Sequence, residues 1–181
     1  MTEWSKDVQA DGASVTYEHN QRMYLSTVNK VDTAAYFKPD LLGGSMEFDL
    51  DLSQVGCNCV VGLYGVRMPA VDNTDDKFGY CGANQDKVGG SLCPEFDMLE
   101  GNSFGIHTTA HSCEAPSAEG VYSACTGSGQ CTVDAILDEG ESSYGGSADK
   151  TIDTQKPFNM RLVFDEDPSS GLFVSYTTTL T

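Results

Sequence analysis

The chain has 181 residues and a formal net charge of −17, from 27 acids against 10 bases. So acidic a surface repels nucleic-acid backbones and anionic membranes, and no apolar stretch approaches the length of a membrane span, so nucleic acid and membrane are excluded as partners. A neutral polymer such as a polysaccharide remains compatible with the charge. The 19 glycines, frequent Ser and Thr, and lack of Leu-rich heptads predict an all-β protein with many turns. The length suits one domain, residues 1–181, with a sizeable core. Seven cysteines without a CxxC…CxxC zinc pattern are read as disulfides in an oxidising compartment, hence a secreted, extracellular protein. The odd count leaves at least one thiol free or paired with a partner chain. The opening MTEWSKDVQADG has no hydrophobic signal core and is read as the start of a mature form or cut domain.

In chain order, residues 1–13 are predicted to be a flexible arm or a first edge strand. Strand material follows over 15–28, with Val15, Tyr17, Met23, Tyr24 and Leu25, and 39–44 forms a turn. Met46, Phe48, Leu50 and Leu52 then alternate with Glu47, Asp49 and Asp51, the period of a half-buried strand with an acidic outer face. Residues 60–68 make a second apolar run, in which Gly62 and Gly65 indicate bending or close backbone approach. Residues 69–79 and 80–90 read as loops, 93–100 as a short strand, and 101–150 as a largely irregular, cysteine-bearing excursion. Regular strands return at the end. Phe158, Met160, Leu162 and Phe164 share one face, residues 165–171 turn, and 172–181 form a last strand with Phe173, Ser175, Thr177 and Thr179 on one face. Antiparallel strands without a periodic helix suggest a sandwich or jelly roll.

The chemistry-bearing stretch runs from Cys93 to Asn102. In a regular strand Glu95 and Asp97 share a face with Leu99, while Glu100 falls on the core side with Phe96 and Met98, at a cost for its charge. A β-bulge near Met98–Leu99 would return Glu100 to the acidic face. Three carboxylates would then converge, as a retaining glycosidase requires of its nucleophile and acid/base, with Asp97 hydrogen-bonding the nucleophile between them. The same acids could instead be a solvated face, like Glu47, Asp49 and Asp51, or ligate a hard cation such as calcium.

These residues resemble glycoside hydrolase family 7, the cellobiohydrolase and endoglucanase family. The resemblance is collinear over residues 22–181. It rests on Arg22-Met-Tyr-Leu25, the run from Leu41 to Gln54, Cys57, Leu63-Tyr64, Gly79-Tyr80-Cys81, the Glu-x-Asp-x-x-Glu-x-Asn pattern of Glu95 to Asn102, His111-Ser-Cys113, Ser142 to Gly145 and Asp153 to Phe158. It implies a curved antiparallel jelly-roll sandwich, in a markedly shortened form. It implies Glu95 as nucleophile, Glu100 as acid/base, Asp97 assisting Glu95, and His111 near the acid/base end of the cleft. Tyr64 and Tyr80 would line the glycone side, and Asn102 would contact substrate. Cys81–Cys93 and Cys113–Cys125 would be disulfides. Cys57 and Cys131 resemble family cysteines whose partners lie in a part this chain lacks. Taken alone, His111 serves more often as a structural hydrogen-bonder, Tyr64 and Tyr80 serve equally as core residues, and His107 has no assigned role.

Leu99 stands where the motif usually has Trp, Gly101 replaces the usual Ala, and the only tryptophan is Trp4. A short, open, endo-acting cleft follows from that reading. The function implied is a retaining β-1,4-glucan hydrolase without metal or cofactor, its partner a β-glucan polysaccharide or oligosaccharide. The alternative is a non-catalytic carbohydrate-binding or structural subunit of the same fold, completed by a partner chain.

Overall fold

The structure is a computed structural model that describes residues 9–10, 14–16, 21–28, 32–68, 78–84, 89–129 and 131–181. Trp4, Tyr17 and the loop over 69–77 lie outside the described residues. Near the N-terminus, β1 (Gln9–Ala10) pairs antiparallel with β2 (Val15–Thr16). Of the strand expected over 15–28, residues 17–20 lie outside the described residues, and the described residues 21–28 form only the single antiparallel bridge of Ser26 with Tyr36. Tyr24 is instead stacked on both Tyr36 and Phe78, and Ser26 and Thr27 hydroxyls donate to the Ala35 carbonyl across a turn. Ring stacking and side-chain bonds to the backbone reinforce this bridge, where Thr27 N–H donates to the Ala35 carbonyl and Phe37 N–H to that of Leu25.

Two antiparallel sheets face each other. The first, in order β11-β10-β3, is built from β3 (Ser45–Leu50), β10 (Phe158–Glu166) and β11 (Phe173–Leu180). The second, in order β4-β5-β6-β7, comprises β4 (Val61–Val66), β5 (Glu95–Gly101), β6 (Ile106–His111) and β7 (Cys131–Asp134). A one-turn helix, α1 (Ala135–Glu139), follows β7, and β8 (Tyr144–Gly145) pairs parallel with β9 (Ile152–Asp153).

The alternation at 158–164 sets the core. Phe158, Met160, Leu162 and Phe164 are buried beneath Met98, Leu99 and Ile106 of the opposite sheet. Phe96 packs edge-on to Phe164 and Tyr176, and the Thr108 hydroxyl donates to that of Tyr176. Each such aliphatic side chain removed from water contributes about 1.5–3 kcal/mol. Met46, Phe48 and Leu50 join this core while Glu47 and Asp49 face out, as the period requires. Ser175, Thr177 and Thr179 share the outer face, a register shift between the Asp165–Ser175 and Glu166–Phe173 pairs takes Phe173 out of that alternation, and the β10–β11 hairpin is present.

The stretch 101–150 is more regular than its composition indicates. Its strand β6 reads Ile-His-Thr-Thr-Ala-His, and both faces are rich in polar residues because one of them lines the site. Hydropathic alternation, the usual strand signal, is therefore weak. Truncating Leu162, which is fully buried, to Ala should lower unfolding free energy in urea by about 2–5 kcal/mol, whereas Thr179→Ala on the outer face should stay within about 0.5 kcal/mol. Equal effects of the two would contradict this placement of the core.

Candidate active site

The outer face of the β4-β5-β6-β7 sheet carries the acids. Against β4, Leu63 pairs with Leu99 and Tyr64 with Asp97; against β6, Asp97 pairs with Thr109 and Glu100 with His107. Met98 and Leu99 thus oppose the single residue Thr108, a two-for-one bulge. Both bulged side chains are buried, at 4% and 1% exposure, so Glu100 swings to the face that holds Glu95 and Asp97. Leu99 therefore belongs to the core, and its position offers no surface to a sugar.

Each carboxylate has its own donors. Glu95 accepts from the Tyr80 hydroxyl on Oε1 (3.2 Å) and from the Ala83 backbone N–H on Oε2 (2.8 Å). A Cβ on Gly82 would stand 3.1 Å from Glu95 Oε2, so a side chain there would crowd the carboxylate. The Cys81–Cys93 disulfide ties this loop to the segment entering β5, and the Cys93 N–H donates to the Gly82 carbonyl. Glu100 accepts from the Tyr64 hydroxyl on Oε1 (2.9 Å), while His107 Nε2 lies 3.0 Å from Oε2. The Tyr64 ring folds back over Gly62, the residue opposite Glu100, and a Cβ there would collide with it. Burial first, and then the bond to Glu100, hold the Tyr64 hydroxyl protonated far above the usual phenol range. Tyr64 and Tyr80 thus bond the acids instead of packing in the core, and they serve different acids: Tyr80 bonds Glu95 and Tyr64 bonds Glu100.

Asp97, the central acid, is 5% exposed. Its Oδ2 is 2.9 Å from His111 Nε2, and its buried Oδ1 has no hydrogen-bond partner. The expected hydrogen bond from Asp97 to Glu95 is not made; the bulge and the register direct Asp97 toward His111. Burial raises the Asp97 pKa to about 6, against the His111 bond that lowers it and with help from the charges of Glu100 and Glu95. His111 Nδ1 lies 2.6 Å from the Thr126 carbonyl, which can only accept, so Nδ1 carries a hydrogen. Burial disfavours the imidazolium, but the Thr126 carbonyl and the Asp97 carboxylate outweigh it and raise the His111 pKa. One hydrogen bridges Asp97 Oδ2 and His111 Nε2. The Cys113–Cys125 disulfide, with the isolated bridge between the same residues, fixes the segment that presents Thr126.

Two assignments shift. His111 stands opposite Glu95, not at the Glu100 end, because antiparallel pairing reverses sequence order and brings His107 to Glu100. Asn102 clamps the β5–β6 turn. Its side-chain oxygen accepts from the Phe104 and Gly105 N–H groups and its amide donates to the Cys59 carbonyl, so these bonds are spent on the backbone around the turn. His107 is the partner of the acid row to which reading the sequence assigns no role. The signal lay in His107, Thr109 and His111 at strand period, which puts all three on one face. Both resemblance-implied disulfides are formed, while Cys57, Cys59 and Cys131 are free thiols. Among the described residues no cluster of His, Cys, Asp and Glu has metal-holding geometry.

No family model matches the chain. An endoglucanase of Hypocrea jecorina is 32% identical over 163 residues, 78% of this chain but 33% of that protein. The chain thus spans about a third of the length of the curated relatives it matches. A family 7 cellobiohydrolase of Daphnia pulex superimposes with a TM-score of 0.60 at 20% identity, covering 77% of this chain and 43% of that one. A Melanocarpus albomyces cellobiohydrolase complexed with cellotetraose gives a TM-score of 0.62 at 21% identity, covering 93% and 50%. The chain resembles family 7 over the part of those proteins that it spans, and its fold is the curved antiparallel β-sandwich of jelly-roll type.

Protonation of the central pair gives stability a direction with pH. The folded pKa of Asp97, about 6, exceeds its unfolded value, so the folded chain retains a proton that the unfolded chain has lost. Stability then falls as pH rises from about 4 to 6, and the raised pKa of His111 extends the fall above about 6.5. Asp97→Asn should flatten the dependence of Tm on pH between 4 and 6. An unchanged slope in that variant would contradict the assignment.

Proposed function

We propose that this chain is a retaining, endo-acting β-1,4-glucan hydrolase of the extracellular space, with Glu95 as nucleophile and Glu100 as acid/base. The observation that carries this reading is the bulged strand β5, which brings two oriented carboxylates to one face with a third acid buried between them. The match to an endoglucanase supports the substrate class.

In the first step a Glu95 oxygen attacks the anomeric carbon while Glu100 gives its proton to the departing glycosidic oxygen. In the second step Glu100 takes a proton from water, which displaces Glu95 and restores the configuration. Tyr80 and the Ala83 N–H fix the Glu95 rotamer, so the attacking oxygen needs little reorganisation. Asp97 and His111 supply a buried charge that is proton-compensated, which keeps a third full negative charge from opposing negative charge on the two working acids. Tyr64 and Tyr80 present hydroxyls along the face where a glucan would lie, and no step requires a metal or cofactor. The two disulfides suit an oxidising compartment.

Glu95→Gln should abolish release of reducing sugar from soluble mixed-linked glucan and from cellulose. Products of the unmutated protein should appear first as the β-anomer by NMR. Activity retained in Glu95→Gln would contradict the nucleophile assignment. An unmutated protein that binds cello-oligosaccharides without cleaving them would contradict hydrolysis in favour of the carbohydrate-binding alternative.

A further inference from the structure

Resting on the reading of Glu100 as acid/base, we propose that His107 is a positioning residue for Glu100, holding its carboxyl in the orientation from which the proton is delivered to the leaving oxygen. Strand register makes the two residues direct cross-strand neighbours, and His107 Nε2 lies 3.0 Å from Glu100 Oε2. Only the bulge allows this. In an unbulged ladder, Leu99 would face His107 and Glu100 would face Ile106, a core residue.

The carboxyl of Glu100 is then held at both oxygens, by Tyr64 at Oε1 and His107 at Oε2. A side chain with three rotatable bonds, 26% exposed, would otherwise sample several rotamers, and a misplacement of about 1 Å can cost a hundredfold in rate. Other groups near His107 are already engaged. Asp134, its register partner on β7, accepts from the Ile136 and Leu137 N–H groups at the start of α1, and His111 is bonded to Asp97. An imidazole N–H at Nε2 can donate to Oε2 whether Glu100 is a carboxylate or a carboxylic acid, which leaves the acid proton for the leaving oxygen, so the bond survives both halves of the reaction, in which Glu100 is first acid and then base.

Leaving-group dependence separates positioning from general damage, because a dinitrophenolate departs without a proton and a sugar alcohol does not. The measurement is kcat/KM, which reports the first chemical step, for cellotetraose and for dinitrophenyl β-cellobioside, in the unmutated protein, Glu100→Gln, His107→Ala and His107→Gln. Glu100→Gln should lose about 10²–10⁴-fold on cellotetraose and far less on the activated glycoside. His107→Ala should lose about tenfold on cellotetraose, a fraction of the acid's full effect, and less than about twofold on the activated glycoside. His107→Gln, whose amide nitrogen sits as many bonds from the backbone as Nε2, should recover most of the loss. Equal losses on both substrates, no loss on either, or no recovery with Gln would overturn the role of His107 while leaving Glu100 as the acid. A Glu100→Gln variant without the substrate split would overturn the acid assignment itself, and His107 positioning with it.

Discussion

The site depends on one extra residue in a strand. Between Asp97 and Glu100 the chain places Met98 and Leu99 opposite a single residue, Thr108, of the neighbouring strand. In a regular ladder Glu100 would point into the sandwich among Met160 and Leu162, and an isolated charge there is prohibitive. With the bulge, two apolar side chains enter the core in succession and the carboxylate turns outward. The same shift of register pairs Glu100 with His107 and leaves Glu95 opposite His111. Core packing and site geometry are therefore one decision, made at residues 98–99.

Gathering three acids has a cost that must be offset locally. Two carboxylates about 5 Å apart repel by about 3 kcal/mol at an effective dielectric near 20. A hydrogen bond to a charged group returns about 1.5–3 kcal/mol. The donors come from different parts of the chain: Tyr64 from β4, Tyr80 and Ala83 from the loop before β5, and two histidines from β6. Two disulfides hold the loops that bring the Ala83 N–H to Glu95 and the Thr126 carbonyl to His111. Each clamp thus acts on one end of the acid row.

Much of this was legible in the chain. The alternations at 46–52 and 158–164 announced the two strands of the inner wall because their burial is one-sided and apolar. The need for a bulge followed from the cost of burying Glu100, and the resemblance marked the acids and the disulfides. The partners of the acids were not legible. Antiparallel register inverts sequence order, so a motif read along the chain puts His111 nearer Glu100, whereas it pairs at the Glu95 end. His107 gives no hydropathic signal because β6 has polar side chains on both faces and lacks apolar alternation. Asn102 kept its motif position, but its side chain serves the tight β5–β6 turn, a demand visible only once Phe104 and Gly105 are folded against it.

The central claim is that Glu95 and Glu100 are a chemically unequal pair, one forming a bond to sugar and the other moving a proton. Trapping with an activated 2-deoxy-2-fluoro cellobioside tests it directly, since the fluorine slows turnover of the glycosyl-enzyme. Peptide mass spectrometry of the inactivated protein should find one fluorocellobiosyl group, esterified to Glu95. A label on Glu100 or Asp97, or a protein that remains unlabelled after prolonged exposure, would contradict the account.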